Sequence, residues 1–72
     1  MRLENRVREL RTERSWSQQE LARAVGVSRQ TIHAIEKGGY EPSVRLALEL
    51  AAALDRLVES LFWLEEAEGG KT

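Results

Sequence analysis

Four side chains with chemistry to offer, with an alanine beside them, fall on one stripe of a helix predicted over Arg29–Lys37. With Arg29 set at 0° and about 100° per residue, Arg29, His33, Lys37, Gln30 and Ala34 lie within about 0–140°, and Thr31, Ile35, Ile32 and Glu36 within about 200–340°. One face therefore belongs to a core. The other arrays two cations, an amide and an imidazole, side chains of moderate length suited to hydrogen bonding with a partner. Bond-making chemistry is not suggested. The single His, in a chain without Cys, cannot build a metal site. Ser17 and Ser28 read as helix caps rather than nucleophiles, and the acid pairs Glu65-Glu66 and Glu36-Glu41 lack the enclosed pocket that acid–base catalysis needs. No enzyme, cofactor or metal is expected, and no residue pattern points to a small-molecule ligand.

The elements that must hold this stripe are short. A first helix over about Glu4–Glu13 gathers Leu3, Val7 and Leu10 in one narrow arc, with Arg11 at its edge. Ser17-Gln18-Gln19-Glu20 is a capping box that opens a second helix, about Gln18–Val25, stopped by Gly26. Ser28 caps the third, so the connection between the second and third helices is very short. Gly38-Gly39 ends the third, and after Tyr40-Glu41-Pro42 the cap Ser43 opens a fourth helix, about Val44–Leu54, apolar nearly all round and expected to be central. A fifth, about Leu57–Leu61, is weakly signalled. Leu61-Phe62-Trp63-Leu64 is apolar without helical periodicity, and residues 65–72 read as an acidic flexible tail after a single domain over 1–64.

Length limits the core. Area scaling for 72 residues gives roughly 4,500 Å² folded against about 11,900 Å² unfolded, so about 62% of the surface is buried. Without disulfides, stability must come from packed apolar faces or from self-association. The net charge of −1 conceals an asymmetry: residues 1–45 carry nine Lys or Arg against six acids, net +3, and residues 46–72 carry two against six, net −4. The basic part permits a positive face toward a polyanion. No apolar run approaches the ~18 residues of a membrane span, and the N-terminus lacks the apolar segment of a signal peptide, so a cytoplasmic location is expected.

Two short helices joined by a tight glycine turn, the second with one polar and one apolar face, are the parts of a helix-turn-helix, whose second helix enters the DNA major groove. The sequence resembles the Cro/C1-type, or xenobiotic response element, family of regulators. The resemblance rests on Ser17-Gln18-Gln19-Glu20-Leu21-Ala22, Val25-Gly26-Val27-Ser28-Arg29-Gln30-Thr31-Ile32, Ile35-Glu36-Lys37-Gly38 and Tyr40-Glu41-Pro42-Ser43, within a span of about residues 3–62. It implies an all-α, five-helix, lambda-repressor-like domain that binds double-stranded DNA.

By resemblance, Arg29, Gln30 and His33 occupy base-reading positions and Ala34 lies beside them. Arg can pair with guanine O6 and N7, Gln with adenine N6 and N7, and Ala can meet a thymine methyl. Phosphate contacts map to Gln18, Ser28, Thr31 and Lys37, with Tyr40 a weaker candidate. The family's pairing of a helix-one arginine with a glutamate near the end of the recognition helix maps to Arg11 and Glu36, a structural ion pair. The chain departs from the family pattern at Asp55-Arg56-Leu57, where relatives usually carry Gly and a capping Ser or Thr. It also has Gly39 where a basic residue is common, and Trp16, expected under the turn, where a smaller aliphatic is common.

Short regulators of this type bind as two-fold dimers that place recognition helices about 34 Å apart. Leu61, Phe62, Trp63 and Leu64 are the residues expected at a homodimer surface. The resemblance also allows a short antiparallel pairing of Arg2-Leu3-Glu4 with Phe62-Trp63-Leu64-Glu65, as in some short relatives. The expected function is a repressor on a pseudo-palindromic operator. The alternatives are an antitoxin or restriction-modification controller of the same fold, or a protein-interaction module that has lost DNA binding.

Overall fold

The computed structural model describes residues 1–66, with the order β1 (Arg2–Asn5), α1 (Val7–Glu13), α2 (Gln18–Val25), α3 (Arg29–Lys37), α4 (Val44–Ala53), α5 (Val58–Leu61) and β2 (Phe62–Glu65). Five helices surround one core, and β1 pairs antiparallel with β2 in the register Arg2↔Glu65, Leu3↔Leu64, Glu4↔Trp63, Asn5↔Phe62. The Arg6 N–H donating to the Leu61 carbonyl at 3.0 Å continues the ladder.

This pairing corrects the expected start of the first helix. Leu3 belongs to a strand, and the helix begins at Val7. Its arc with Val7 and Leu10 is a coincidence of spacing, because the sheet satisfies the backbone groups that a first helical turn would leave free. Asn5 makes the transition. Its Oδ1 accepts from the Val7 N–H at 3.0 Å and its Nδ2 donates to the Ile35 carbonyl at 3.0 Å, tying β1, α1 and α3 together.

The next two helices begin and end where the local chemistry requires. Ser17 Oγ accepts from the Glu20 N–H (3.0 Å) and Glu20 Oε1 accepts from the Ser17 N–H (2.7 Å). Ser28 Oγ accepts from the Thr31 N–H at 3.2 Å, and Ser43 Oγ caps α4 through the Leu46 N–H at 3.1 Å. Gly26 (φ 73°) and Gly38 (φ 94°) close α2 and α3 in the left-handed region. Asp55 adopts the same region (φ 57°), so the turn before α5 forms although a non-glycine residue occupies it.

Val7, Leu10, Leu21, Ala22, Val25, Ile32, Ile35, Leu46, Leu50, Ala51, Leu54 and Leu61 form the core, with Trp16 half-buried against it as expected. The fourth helix is less central than its composition suggests. It buries Leu46, Leu50 and Ala51 but leaves Val44 78% and Leu48 54% exposed. The closing segment also needs correction. Leu61, expected at a dimer surface, is fully buried in its own chain, because it ends α5 on the inward side. Leu64 is 60% exposed, and Phe62 and Trp63 are half-buried. Trp63 carries the Arg6 guanidinium 5.0 Å from its ring centre. Glu65, assigned to the acidic tail, is the last residue of β2; residues 67–72 of that tail lie outside the described residues.

Candidate nucleic-acid interface

Gly26, Val27 and Ser28 are all that separates α2 from α3. Ile32 and Ile35 are buried, which orients α3 so that Arg29, Gln30, His33 and Lys37 face outward on one stripe, with Ala34 and Thr31 half-buried at its margins. The base-reading and phosphate candidates on this helix are therefore brought onto one surface. Thr31 Oγ1 lies 3.1 Å from Ser28 Oγ, so these two hydroxyls form a unit at the start of the helix.

Beneath the stripe lies the Arg11–Glu36 pair at the place the resemblance implied. Arg11 Nε donates to Glu36 Oε2 at 2.7 Å and Nη2 to Oε1 at 3.1 Å, while Nη1 donates to the Trp16 carbonyl at 2.7 Å. Both side chains are nearly enclosed, and no buried polar side-chain atom lacks a partner among the described residues. A bidentate, hydrogen-bonded pair of this kind compensates the cost of removing both charges from water, and it fixes α3 against α1.

Gln18 behaves differently from its simple assignment as a phosphate contact. Its Nε2 donates to Glu36 Oε1 at 3.0 Å and lies 3.3 Å from His33 Nδ1, and its Oε1 accepts from Arg29 Nη1 at 3.3 Å. The amide thus joins the buried ion pair to two residues of the exposed stripe. Arg8 was missed altogether. It lines a concavity of about 430 Å³ with Arg11, Gln18, Arg29, His33, Glu36 and Lys37, where four cations face one carboxylate. Its spacing of three from Arg11 puts both on one side of α1, which was the signal available. Tyr40 is not brought to this concavity. It lines a separate one of about 510 Å³ with residues of β1, Gly38 and Glu41, sharing only Lys37 with the first.

A buried-face anchor, a three-residue turn and an outward cationic and amide stripe define a helix-turn-helix domain of the Cro/C1 type. The helix-turn-helix family model matches residues 7–60, and the chain belongs to this family of DNA-binding transcriptional regulators. It is 50% identical over 64 residues to the HTH-type transcriptional regulator YgzD of Bacillus subtilis, covering 89% of this chain and 97% of that one. A second HTH-type regulator, from Methanothermobacter thermautotrophicus, is 52% identical over 90% of this chain and 94% of its own length. Among solved structures, the restriction-modification controller protein C.AhdI of Aeromonas hydrophila superposes with a TM-score of 0.73 at 38% identity. That match covers 76% of this chain and 83% of the controller. No helix among the described residues is long and apolar enough to cross a membrane.

Proposed function

We propose that the protein is a cytoplasmic transcriptional repressor that binds a pseudo-palindromic operator as a homodimer. Each copy inserts α3 into the major groove. The observation that carries this reading is the outward stripe Arg29, Gln30, His33, Lys37 held by the buried Ile32 and Ile35. Arg29, Gln30, His33 and Ala34 read bases. Ser28, Thr31, Lys37 and Arg8 meet phosphates, with Tyr40 at the periphery, while the Gln18 amide braces Arg29 and His33. The ion pair Arg11–Glu36 sets the angle of the reading helix.

Dimerisation is supported by two apolar side chains on either side of α5, Leu57 (67% exposed) and Leu64 (60% exposed), with Phe62 and Trp63 half-buried nearby. A module of this size rarely binds DNA tightly alone, so doubling the reading helices is the economical route to affinity. The likeness to C.AhdI favours, as a second reading, control of a restriction-modification system by the same DNA chemistry. The genes beside this one decide between the two.

The test is a duplex selected from a random pool and titrated at two salt concentrations with the wild type and Arg29→Ala. Tight, salt-sensitive binding by the wild type and a loss of roughly 5- to 150-fold in the variant are expected, from the roughly 1–3 kcal/mol a base-pair contact contributes. Absence of binding by the wild type at low salt overturns the reading in favour of a protein-interaction module.

A further inference from the structure

We propose that Gln18 is a positioning residue that fixes the tautomer of His33, so that His33 meets DNA as a hydrogen-bond donor through Nε2 and selects a base edge presenting an acceptor. This rests on the DNA-reading assignment of α3.

A glutamine amide can be turned either way, and its orientation follows from its neighbours. Here both neighbours are charged and make opposite demands on the two ends of the group. Glu36 Oε1, at 3.0 Å, is a carboxylate oxygen and requires the NH₂ end; the Arg29 guanidinium, at 3.3 Å, is donor-only and requires the oxygen. Turning the amide would place oxygen against carboxylate and NH₂ against guanidinium, so the observed orientation is held from both sides. Glu36 is itself immobilised by its bidentate pairing with Arg11.

The second hydrogen of the Gln18 NH₂ group is then directed at His33 Nδ1, 3.3 Å away. Nδ1 must accept, and in the neutral ring the proton resides on Nε2. His33 is exposed on the outward stripe, so this N–H is what it offers to a partner. In the major groove, guanine N7 and O6, adenine N7 and thymine O4 accept such a donor, whereas the cytosine amino group does not. A residue able in principle to donate or accept is thereby restricted to one role. The buried ion pair, two side chains away, sets the restriction.

The single histidine makes the ring directly observable. Long-range proton–nitrogen correlation spectra of the free protein, recorded once raising the pH no longer moves the ring signals, should show Nδ1 unprotonated and Nε2 protonated. In Gln18→Met, both nitrogens should move toward the values of a tautomeric mixture, with the fold checked by thermal unfolding. A wild type that already shows the mixture, or a variant that leaves both nitrogens unmoved, overturns the proposal.

The second arm uses the selected duplex. Gln18→Met should weaken binding roughly three- to tenfold, the worth of about one hydrogen bond. The same substitution in a His33→Ala background should cost less than about twofold. An equal cost in both backgrounds shows that Gln18 acts as an independent phosphate contact and overturns the proposal. Should Gln18→Met fail to fold, wild type and His33→Ala are compared on a duplex whose purine opposite residue 33 is replaced by its 7-deaza analogue. Loss of affinity confined to the wild type supports the donor role, and equal loss contradicts it. If the wild type binds no selected duplex, the functional reading has failed along with the DNA half of the proposal. The nitrogen spectra of the free protein distinguish that failure from failure of the Gln18–His33 contact.

Discussion

The segment from α1 to α3 and the segment from α4 to β2 solve opposite problems. In the first, side-chain oxygens cap α2 and α3, left-handed glycines close them, and a buried ion pair fastens α3 to α1. Its outer surface is polar and basic. In the second, α5 has only four residues and no side-chain cap, and Val44, Leu48, Leu57 and Leu64 stay exposed. Charge follows the same division, net +2 over residues 7–37 (six Lys or Arg against four acids) and net −2 over residues 44–65 (two against four). The first segment fixes direction, because hydrogen bonds from an exposed stripe depend on side chains held at defined angles. The second closes the core and leaves apolar surface outside it.

Five substitutions put this contrast at risk, four in descending order of expected effect and Leu64→Lys set beside its neighbour Leu61→Ala. Arg11→Ala strands the Glu36 carboxylate in a nearly enclosed site and should lower stability by about 3–5 kcal/mol in chemical denaturation. A loss below about 1 kcal/mol would show that the pair does not fasten the first segment. Leu61→Ala should cost about 2–5 kcal/mol, because Leu61 is completely enclosed by its own chain. Its near neighbour Leu64 sharpens the point. Leu64→Lys should leave unfolding of the single chain within about 0.5 kcal/mol, the usual range for surface positions, yet shift sedimentation toward monomer. Equal effects of these two substitutions on unfolding would erase the inside–outside distinction drawn for the closing segment. Ser17→Ala should remove about 1 kcal/mol through loss of the α2 cap. Asp55→Gly should raise stability by at most about 1 kcal/mol, as relief of left-handed strain is offset in part by the greater backbone entropy that Gly loses on folding.

What was legible in the sequence follows how locally each feature is determined. The boundaries of α2 and α3 rest on residues within one turn of the ends, Ser17 with Glu20, Gly26, Ser28 and Gly38, and they were read correctly. The Arg11–Glu36 pair came from the family resemblance and lies where that resemblance put it. The strand at Arg2–Asn5 competes with a helix whose periodicity also fits. The outcome depends on Leu64, distant in sequence, pairing with Leu3. Whether Leu61 points inward depends on the change from helix to strand between residues 61 and 62, which composition does not reveal. An α4 that is apolar nearly all round cannot announce which face lies outside. The bridging role of Gln18 was out of reach for a related reason: its three partners assemble only when the start of α2 approaches the side of α3.

The central claim is that the stripe on α3 meets DNA and the α5–β2 end does not. It is tested most directly by titrating nitrogen-labelled protein with a selected duplex and following backbone and side-chain resonances. Large perturbations at Arg29, Gln30, His33 and Lys37, together with Gln18, Ser28 and Arg8, are predicted, while Leu57 and Leu64 change little once dimerisation is complete. Perturbations concentrated on Leu57 and Leu64, with the α3 stripe silent, would contradict the account.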